Sequence, residues 1–347
     1  MSNLAPIISF LKHYDGDEIT LMEVCGTHTA AIAENGIPDL ISDRIKLVSG
    51  PGCPVCVTAS SYIDRLIELA CRENTCVVTF GDMIRVRGKS KSLRDISAEG
   101  GNVKMVYSPL DVVNFAKNDP DTTYIFAAVG FETTTPVYAI LVDEAIKRNV
   151  HNVKILTALK TMPEAIEAVY NDNKHIDGFI APGHVSVITG SNMFVPLAEK
   201  LGIPFVISGF EGEQLLLTIY LLIKERNHGI VRNVYLSAVT KSGNALAKRM
   251  VGKYFKKCDA AWRGMGIIKN SGLILKDEYA EYDAGSADLI EDVIYNKGCS
   301  CGKVVAGAMP PTECALFGTV CTASTPQGAC MVSTEGACYN YYTKRRR

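Results

Sequence analysis

Three cysteines in two short motifs carry the most distinctive chemistry of this chain. Cys25 lies in MEVCGTHTA, whereas Cys53 and Cys56 lie in PGCPVC. Glycine and proline stand beside these thiols, and neither stretch has the composition of a hydrophobic core. We therefore interpret the three sulfurs as parts of one functional site.

The CPVC pair has the spacing of a redox dithiol or of half a metal site. A zinc ribbon needs a second CxxC, and the sequence contains none. Pro54 stiffens the turn between Cys53 and Cys56, and if Cys56 begins the next helix, the helix dipole favours a thiolate there. We interpret the pair as a redox dithiol.

Polar residues that follow predicted strands are candidate partners of these thiols. His28 in CGTHT either has a structural role or supports the chemistry of Cys25. Glu132 in GFETTTP is a possible acid or base, and the threonines after it equally suit the cap of a helix. His184 and Ser186 in PGHVS follow another strand, but their spacing does not define a catalytic triad.

Six more thiols lie in a segment rich in glycine and proline near the C-terminus. They are Cys299, Cys301, Cys314, Cys321, Cys330 and Cys338. This segment has too few apolar residues to fold without cross-links from a bound metal or from disulfides. Four thiolates can hold a [4Fe–4S] cluster. A disulfide framework is the alternative, but it conflicts with a reducing compartment.

The spacing of these six cysteines favours one set of four cluster ligands. Cys299 and Cys301 are one residue apart, so one of them is expected to be spare. Cys314 and Cys321 bracket the apolar turn ALFGTV, and Cys330 follows a bend at PQG. The expected ligands are Cys299, Cys314, Cys321 and Cys330, with Cys301 in reserve. Cys338 is also in reserve, because MVSTEGA can begin a helix that leads away.

The remaining cysteines, Cys71, Cys76 and Cys258, have the sequence context of ordinary core or surface thiols.

Composition excludes several classes of protein. The 36 basic residues balance 37 acidic ones, so no net charge attracts nucleic acid or an anionic membrane. The longest apolar run, residues 215–223, is far shorter than a membrane span and predicts a buried helix. The N-terminus lacks a secretory pattern, so we expect a cytoplasmic protein with reduced thiols. No glycine-rich motif for a dinucleotide or for ATP occurs.

The elements that position these motifs alternate between strands and helices. This βα pattern predicts an α/β fold of two lobes with largely parallel sheets around a cleft, plus a C-terminal cysteine-rich iron–sulfur region. The expected division is an N-terminal helix at 1–18, α/β domain I at 19–119, α/β domain II at 120–235, and a helical and cysteine-rich domain at 236–347. Most of the motifs follow strands, where the functional loops of parallel sheets lie.

These motifs together resemble the HypD family, which matures [NiFe] hydrogenases. The resemblance rests on MEVCGTHT, GPGCPVC, FGDMIRVRG, GFETTTP, APGHVS, WRGMG and PTECALFGTVC…GACMVSTEGAC, in order over nearly the whole chain. One departure is Arg87, which stands where the family motif has proline.

The resemblance implies a scaffold on which the Fe(CN)2CO group is built together with a HypC-like small chaperone. It implies that Cys25 holds the nascent iron, that Cys53 and Cys56 form the redox dithiol, and that a [4Fe–4S] cluster binds in the tail. It also implies a HypE-like partner that delivers cyanide groups.

Two other functions remain open from the residues alone. A free-standing iron–sulfur disulfide reductase accounts for the CPVC pair and the tail cysteines but leaves MEVCGTHT without a role. The second alternative is a protein-interaction module with a purely structural metal site. It leaves both MEVCGTHT and PGCPVC without a role.

Overall fold

The computed structural model describes residues 4–289, 291, 293 and 296–344. Its strands are β1 (Ile19–Glu23), β2 (Ile45–Ser49), β3 (Thr75–Thr79), β4 (Val103–Met105), β5 (Thr123–Gly130), β6 (Val153–Lys160), β7 (Gly178–Ala181), β8 (Phe205–Ile207), β9 (Val231–Asn233), β10 (Phe255–Trp262) and β11 (Gly266–Leu275). Helices connect most of these strands, as the βα pattern predicts.

The helices are α1 (Ala5–Lys12), α2 (Gly26–Glu34), α3 (Ser60–Ala70), α4 (Leu93–Ala98), α5 (Asp111–Asn118), α6 (Thr135–Lys147), α7 (Met162–Asp172), α8 (Gly183–Thr189), α9 (Val195–Leu201), α10 (Gly212–Lys224), α11 (Ala245–Tyr254), α12 (Cys301–Val305), α13 (Ala329–Val332) and α14 (Ala337–Lys344). Short 3-10 helices occur at Ile37–Leu40, Gly81–Met83, Ser191–Phe194, Asp277–Tyr282, Ser286–Asp288 and Pro311–Glu313.

The chain forms two compact units, each assembled from separate stretches. Unit 1 comprises Met1–Cys53, Ala165–Asn244 and Gly298–Arg347, and unit 2 comprises Pro54–Glu164 and Ala245–Lys297. The domain boundaries expected from the sequence stay a prediction.

Unit 1 contains a five-stranded sheet in the order β2-β1-β7-β8-β9, and every neighbouring pair in it is parallel. The helix predicted at residues 215–223 is α10, which buries Leu215, Ile219 and Leu222 in the core of this unit. A buried parallel sheet needs helices on its faces, and the amphipathic helices of this unit supply that cover.

Unit 2 contains a six-stranded sheet in the order β10-β11-β6-β5-β3-β4. Strands β3 to β6 pair in parallel, whereas β10 and β11 form an antiparallel hairpin that joins the sheet beside β6. The predicted α/β class with mostly parallel sheets is therefore confirmed. The hairpin was not predicted, because the sequence after residue 236 showed only a helix and a cysteine-rich tail.

The ends of the parallel strands carry the sequence motifs. CGTHT follows β1, PGC follows β2, GFETTTP follows β5 and PGHVS follows β7. No helix in the described part of the chain is long and apolar enough to cross a membrane.

Candidate thiol and metal site

Cys25 lies where β1 ends and α2 begins. It is the N-cap residue of α2, with an extended backbone, and its side chain is buried. Burial raises the pKa of the Cys25 thiol to about 12, and hydrogen bonds from the backbone N–H groups of His28 and Thr27 act in the opposite direction. Such donors at a helix start stabilise negative charge on sulfur.

The PGC loop lies directly against Cys25. Gly26 N–H donates to Gly52 O at 2.9 Å. A Cβ atom on Gly52 would stand 2.2 Å from the backbone nitrogen of Cys25, so only glycine allows this approach. The structure thus brings the CGTHT motif together with the residue that precedes Cys53, within unit 1.

Glu23 lies two residues before Cys25 and contacts its backbone. It was not among the candidate residues identified from the sequence. Its Oε2 accepts the Cys25 N–H at 2.9 Å, and its Oε1 accepts the Thr29 hydroxyl. Burial raises the pKa of Glu23 to about 7. A glutamate at the end of an apolar strand was the available signal, but a strand end is a common place for a polar residue.

Glu335 brings the C-terminal segment to the same site. Thr27 Oγ1 donates to Glu335 Oε1 at 3.2 Å, and a Cβ atom on Gly26 would meet Glu335 Cβ at 2.5 Å. This contact could not be predicted from local sequence patterns, because more than 300 residues separate the two partners.

His28 is fully buried, and its ring has a defined tautomer. Nε2 lies 3.1 Å from Gly209 O and 3.3 Å from Ser208 O, so it carries the proton and donates to these carbonyls. Nδ1 therefore bears a lone pair, and no described group hydrogen-bonds to it. Burial lowers the pKa of His28 to about 4, which keeps the imidazole neutral at physiological pH.

His184 shares an aromatic neighbour with His28. The ring centroids of His184 and His28 lie 4.2 and 4.8 Å from that of Phe210. Burial lowers the pKa of His184. Ser186 donates its hydroxyl to Pro182 O at 2.8 Å, an intrahelical bond that gives it a local structural role. The structure therefore groups His28 and His184 in unit 1.

Cys53 and Cys56 form a disulfide, and both side chains are buried. The helix after them is α3, which starts at Ser60 with Ala59 as its N-cap. The condition that Cys56 begins this helix is not met. Residues 54–57 form a turn, after which Thr58 donates its hydroxyl to Pro54 O at 2.8 Å, so the α3 dipole is not the source of thiolate stability at Cys56.

Glu132 belongs to unit 2. Its Oε1 accepts the Met162 N–H at 2.9 Å, and Oε2 is buried without a hydrogen-bond partner among the described residues. Burial raises the pKa of Glu132 to about 7, a suitable value for proton transfer near neutral pH. Thr135 and Pro136 are the first residues of α6 and Thr134 is its N-cap, as the sequence suggested, but Thr134 makes no side-chain capping bond.

The six tail cysteines fall into two neighbouring groups. The pKa of Cys321 is raised by burial, and Cys299 and Cys314 are close enough to act on it. In the second group, Cys330 interacts with the thiols of Cys301 and Cys338. Cys338 N–H also donates to Cys330 Sγ at 3.3 Å, so α14 begins beside Cys330.

Gly328 connects these two groups. A Cβ atom placed on it would meet Cys299 Sγ at 2.6 Å and Cys301 Cβ at 3.1 Å, so a larger residue would fill the space beside these thiols. Within the described residues, no three His, Cys, Asp or Glu side chains converge closely enough for a single metal ion. A four-iron cluster is wider than one ion, and the gathered thiols are the donors it requires. The tail cysteines therefore fit a [4Fe–4S] cluster.

The other three cysteines are ordinary thiols in this structure. Cys71 is exposed at the end of α3, Cys76 is buried in β3, and Cys258 is partly buried in β10.

Comparison with known proteins gives a consistent result. The family model described as "HypD: Hydrogenase formation hypA family" matches residues 3–345. A putative hydrogenase expression/formation protein of Methanocaldococcus jannaschii is 40% identical, over 95% of this chain and 93% of its own length. Proteins named hydrogenase maturation factor HypD from Azotobacter vinelandii and Cupriavidus necator are 39% and 38% identical, over 94% and 95% of this chain and 89% and 91% of their own lengths.

Proposed function

Because the chain belongs to the HypD family of hydrogenase maturation factors, we propose that it is the scaffold on which the Fe(CN)2CO group of [NiFe] hydrogenase is assembled. A HypC-like small chaperone shares the iron, and a HypE-like partner delivers the cyanide groups. The work takes place in the cytoplasm, where the thiols other than the CPVC pair stay reduced.

The environment of Cys25 is the observation that carries this proposal. A buried thiol at the start of α2 accepts two backbone N–H groups, and its unliganded form is protonated because burial raises its pKa to about 12. A cation that binds the sulfur displaces this proton, and the two N–H donors then stabilise the thiolate. The site is suited to a metal cargo that arrives and leaves.

The cargo is iron(II) with strong-field ligands. A soft thiolate holds such an ion while it leaves other positions open for cyanide and CO. His28 supplies a second donor in the same motif, because its Nδ1 lone pair is buried and unpaired among the described residues. We assign Cys25 as the iron-holding residue and His28 as a supporting ligand or proton acceptor.

Glu23 and Glu335 orient this site. Glu23 fixes the backbone N–H of Cys25, and Glu335 accepts a hydrogen bond from Thr27 in the first turn of α2. Both carboxylates lie close enough to oppose negative charge on the Cys25 sulfur. A bound cation offsets this electrostatic repulsion, which favours a metal-bound thiolate over a free one.

The CPVC pair and the tail cysteines supply redox chemistry. Cys53 and Cys56 interconvert between disulfide and dithiol and so exchange two electrons. The thiols of Cys299, Cys314, Cys321 and Cys330 would hold a [4Fe–4S] cluster, with Cys301 and Cys338 as reserves. When bound, such a cluster supplies single electrons. Glu132 and His184 are proposed as proton-transferring groups.

A free-standing disulfide reductase is the second candidate function. The observation that favours it is the disulfide between Cys53 and Cys56, since a reductase needs such a pair. It leaves the hydrogen-bonded surroundings of Cys25 without a purpose, and we therefore place it second.

Infrared spectroscopy of the protein purified with its small chaperone tests the proposal. Wild type should show cyanide and CO stretching bands, and Cys25→Ala should lose them while it keeps the visible absorbance of its cluster. Cys71→Ala changes an exposed thiol and should retain the bands. Bands at full strength in Cys25→Ala would refute the iron-holding role of Cys25. Their absence from wild type would favour the reductase.

A further inference from the structure

Unit 1 contains a large groove that Glu23 helps to line. Its volume is about 820 Å³, within the range of specific binding sites. One wall is β2 with the segment 36–43, and the opposite wall is the segment 307–311 with Tyr341 of α14. Glu23, which orients the Cys25 site, also lines this groove, but the proposed function gives the walls of the groove no role.

The groove runs along the free edge of a sheet. β2 is the terminal strand of the unit 1 sheet and pairs only with β1 among the described strands. Ile19 N–H donates to Arg44 O at 2.8 Å, and Gly50 N–H donates to Glu23 O at 2.7 Å. In a parallel ladder alternate residues bond to the same neighbour, so even-numbered residues of β2 bond to β1. Leu47 and Ser49 therefore direct their peptide groups toward the groove.

The opposite wall does not pair with this edge. Pro310 and Pro311 lie in it, and proline has no N–H to donate to a strand. Gly307 approaches the end of β2 closely, because a Cβ atom on it would stand 3.2 Å from Ser49 O. Gly307 therefore covers the Ser49 carbonyl, and the peptide groups of Leu47 face a space that an added strand fits.

The charges at the rim indicate what kind of strand fits. Lys46 forms an ion pair with Glu18 at 3.5 Å, and Lys344 forms one with Glu34. Asp39 and Asp43 are exposed at the rim, and in the described part of the chain neither forms an ion pair. Paired lysines and unpaired aspartates leave the rim negative, which complements a basic segment.

We propose that this groove binds an extended, basic segment of a partner protein, which adds a sixth strand beside β2. The five residues of β2 match a segment of about five residues, since a strand rises about 3.3 Å per residue. Half-buried Leu47 and Val48 present apolar surface to its side chains. Glu23 at the end of β1 also lines the groove and accepts the Cys25 N–H, and β2 lies between β1 and the added strand.

The test uses a dye-labelled peptide of seven alternating lysine and valine residues with blocked ends. Fluorescence anisotropy measures its affinity for the full chain, and hydrogen exchange measures the amides of β2. Binding should slow exchange at Leu47. A peptide of the same sequence with N-methyl groups on the residues that face β2 should bind about tenfold more weakly or not at all, because it lacks the inter-strand donors.

Charge reversal at the rim supplies a second, independent arm. The double variant Asp39→Lys, Asp43→Lys should weaken peptide binding about tenfold at low salt, whereas Asp121→Lys in unit 2 should not. Equal affinity for the methylated and unmethylated peptides, or unchanged exchange at Leu47, would overturn the proposal. Neither result bears on the cyanide and CO bands, so this inference fails or succeeds separately from the proposed function.

Discussion

Buried ionisable side chains mark both units of this protein. In unit 1, Glu23, Cys25 and His28 are each shifted by burial toward their neutral forms. In unit 2, Glu132 has the same property. Removing such groups from water costs free energy that apolar residues would not cost, and groups kept despite that cost are candidates for function.

Glu132 gives a prediction about stability and pH. Its pKa is about 7 in the folded chain, against 4.5 for a free glutamate, so the folded state retains a proton that the unfolded state loses. The free energy of unfolding should therefore fall as pH rises from about 4.5 to about 7, by up to about 3 kcal/mol from this residue. Glu132→Gln cannot ionise and should remove that part of the slope.

Urea unfolding followed at about pH 5 and about pH 8 measures this effect. Glu213→Gln, at an exposed position in α10, serves as the control and should leave the slope unchanged. At the higher pH, Glu132→Gln should be more stable than wild type. Equal slopes for Glu132→Gln and wild type would contradict the buried, proton-holding state of this carboxyl.

The CPVC pair gives a second prediction. Cys53 and Cys56 are almost fully buried, so their redox state is best trapped by acid quenching and then labelled in urea. Both thiols should react with iodoacetamide after treatment with dithiothreitol and neither after mild oxidation. Exposed Cys71 should be labelled in both states and serves as the internal control. Equal labelling of both thiols before and after oxidation would end the redox interpretation.

Sequence motifs identified some members of the unit 1 site but not all. The CGTHT motif pointed to Cys25 and His28, because thiols and imidazoles beside glycine are rare outside sites. Glu23 looked like an ordinary strand residue, and Glu335 lies more than 300 residues from Thr27, its hydrogen-bond partner. Local patterns carry no information about such distant contacts.

At the level of elements, glycines determine how closely the loops approach each other. Gly52 allows the loop after β2 to lie against Cys25, and Gly26 allows Glu335 to lie against α2. The sequence places these loops after the correct strands but leaves open whether α3 starts at Cys56, and it begins at Ser60. Helix ends depend on tertiary contacts, and here residues 57 and 58 pair with β10 and the residue after it.

Gly52→Ala tests the importance of that close approach. The new Cβ would stand 2.2 Å from Cys25 N and 2.5 Å from its Cα, so the loop must move away. We expect the cyanide and CO bands to weaken strongly or disappear, together with a loss of about 1–3 kcal/mol in stability.

The control for this variant is Gly252→Ala in α11. A Cβ at that position meets no atom within 4 Å, so the bands should persist and stability should stay the same or rise by up to about 1 kcal/mol. Normal infrared bands in Gly52→Ala would show that the loop and Cys25 do not depend on each other.

At the scale of the whole molecule, the sequence predicted the fold class but not which strands share a sheet. The first two strands share a sheet with β7, β8 and β9, whereas β3 and β4 share a sheet with β5 and β6. Hydrophobic periodicity identifies a strand and the face it buries, and parallel partners are chosen by contacts far apart in the chain. The unit 1 site depends on this pairing, because β1 and β7 lie side by side and carry CGTHT and PGHVS at their ends.

The tail returns to unit 1 at the end of the chain, and its cysteines give the last prediction. Cys299, Cys314 and Cys321 lie together, so serine at any one of them should remove most of the iron and acid-labile sulfide bound per chain. The fourth ligand comes from the group of Cys330, Cys301 and Cys338, whose thiols contact each other. We expect Cys330→Ser to lose iron and the other two replacements in this group to retain it. Cys258→Ser, in unit 2, is the control and should bind iron like wild type.

Because a segment so poor in apolar residues depends on its cluster to fold, the variants that lose iron should also expose residues 298–344 to proteolysis before the rest of unit 1. Full iron content in Cys314→Ser or Cys321→Ser would exclude the proposed ligand set, and loss in Cys338→Ser with retention in Cys330→Ser would move the fourth ligand to α14.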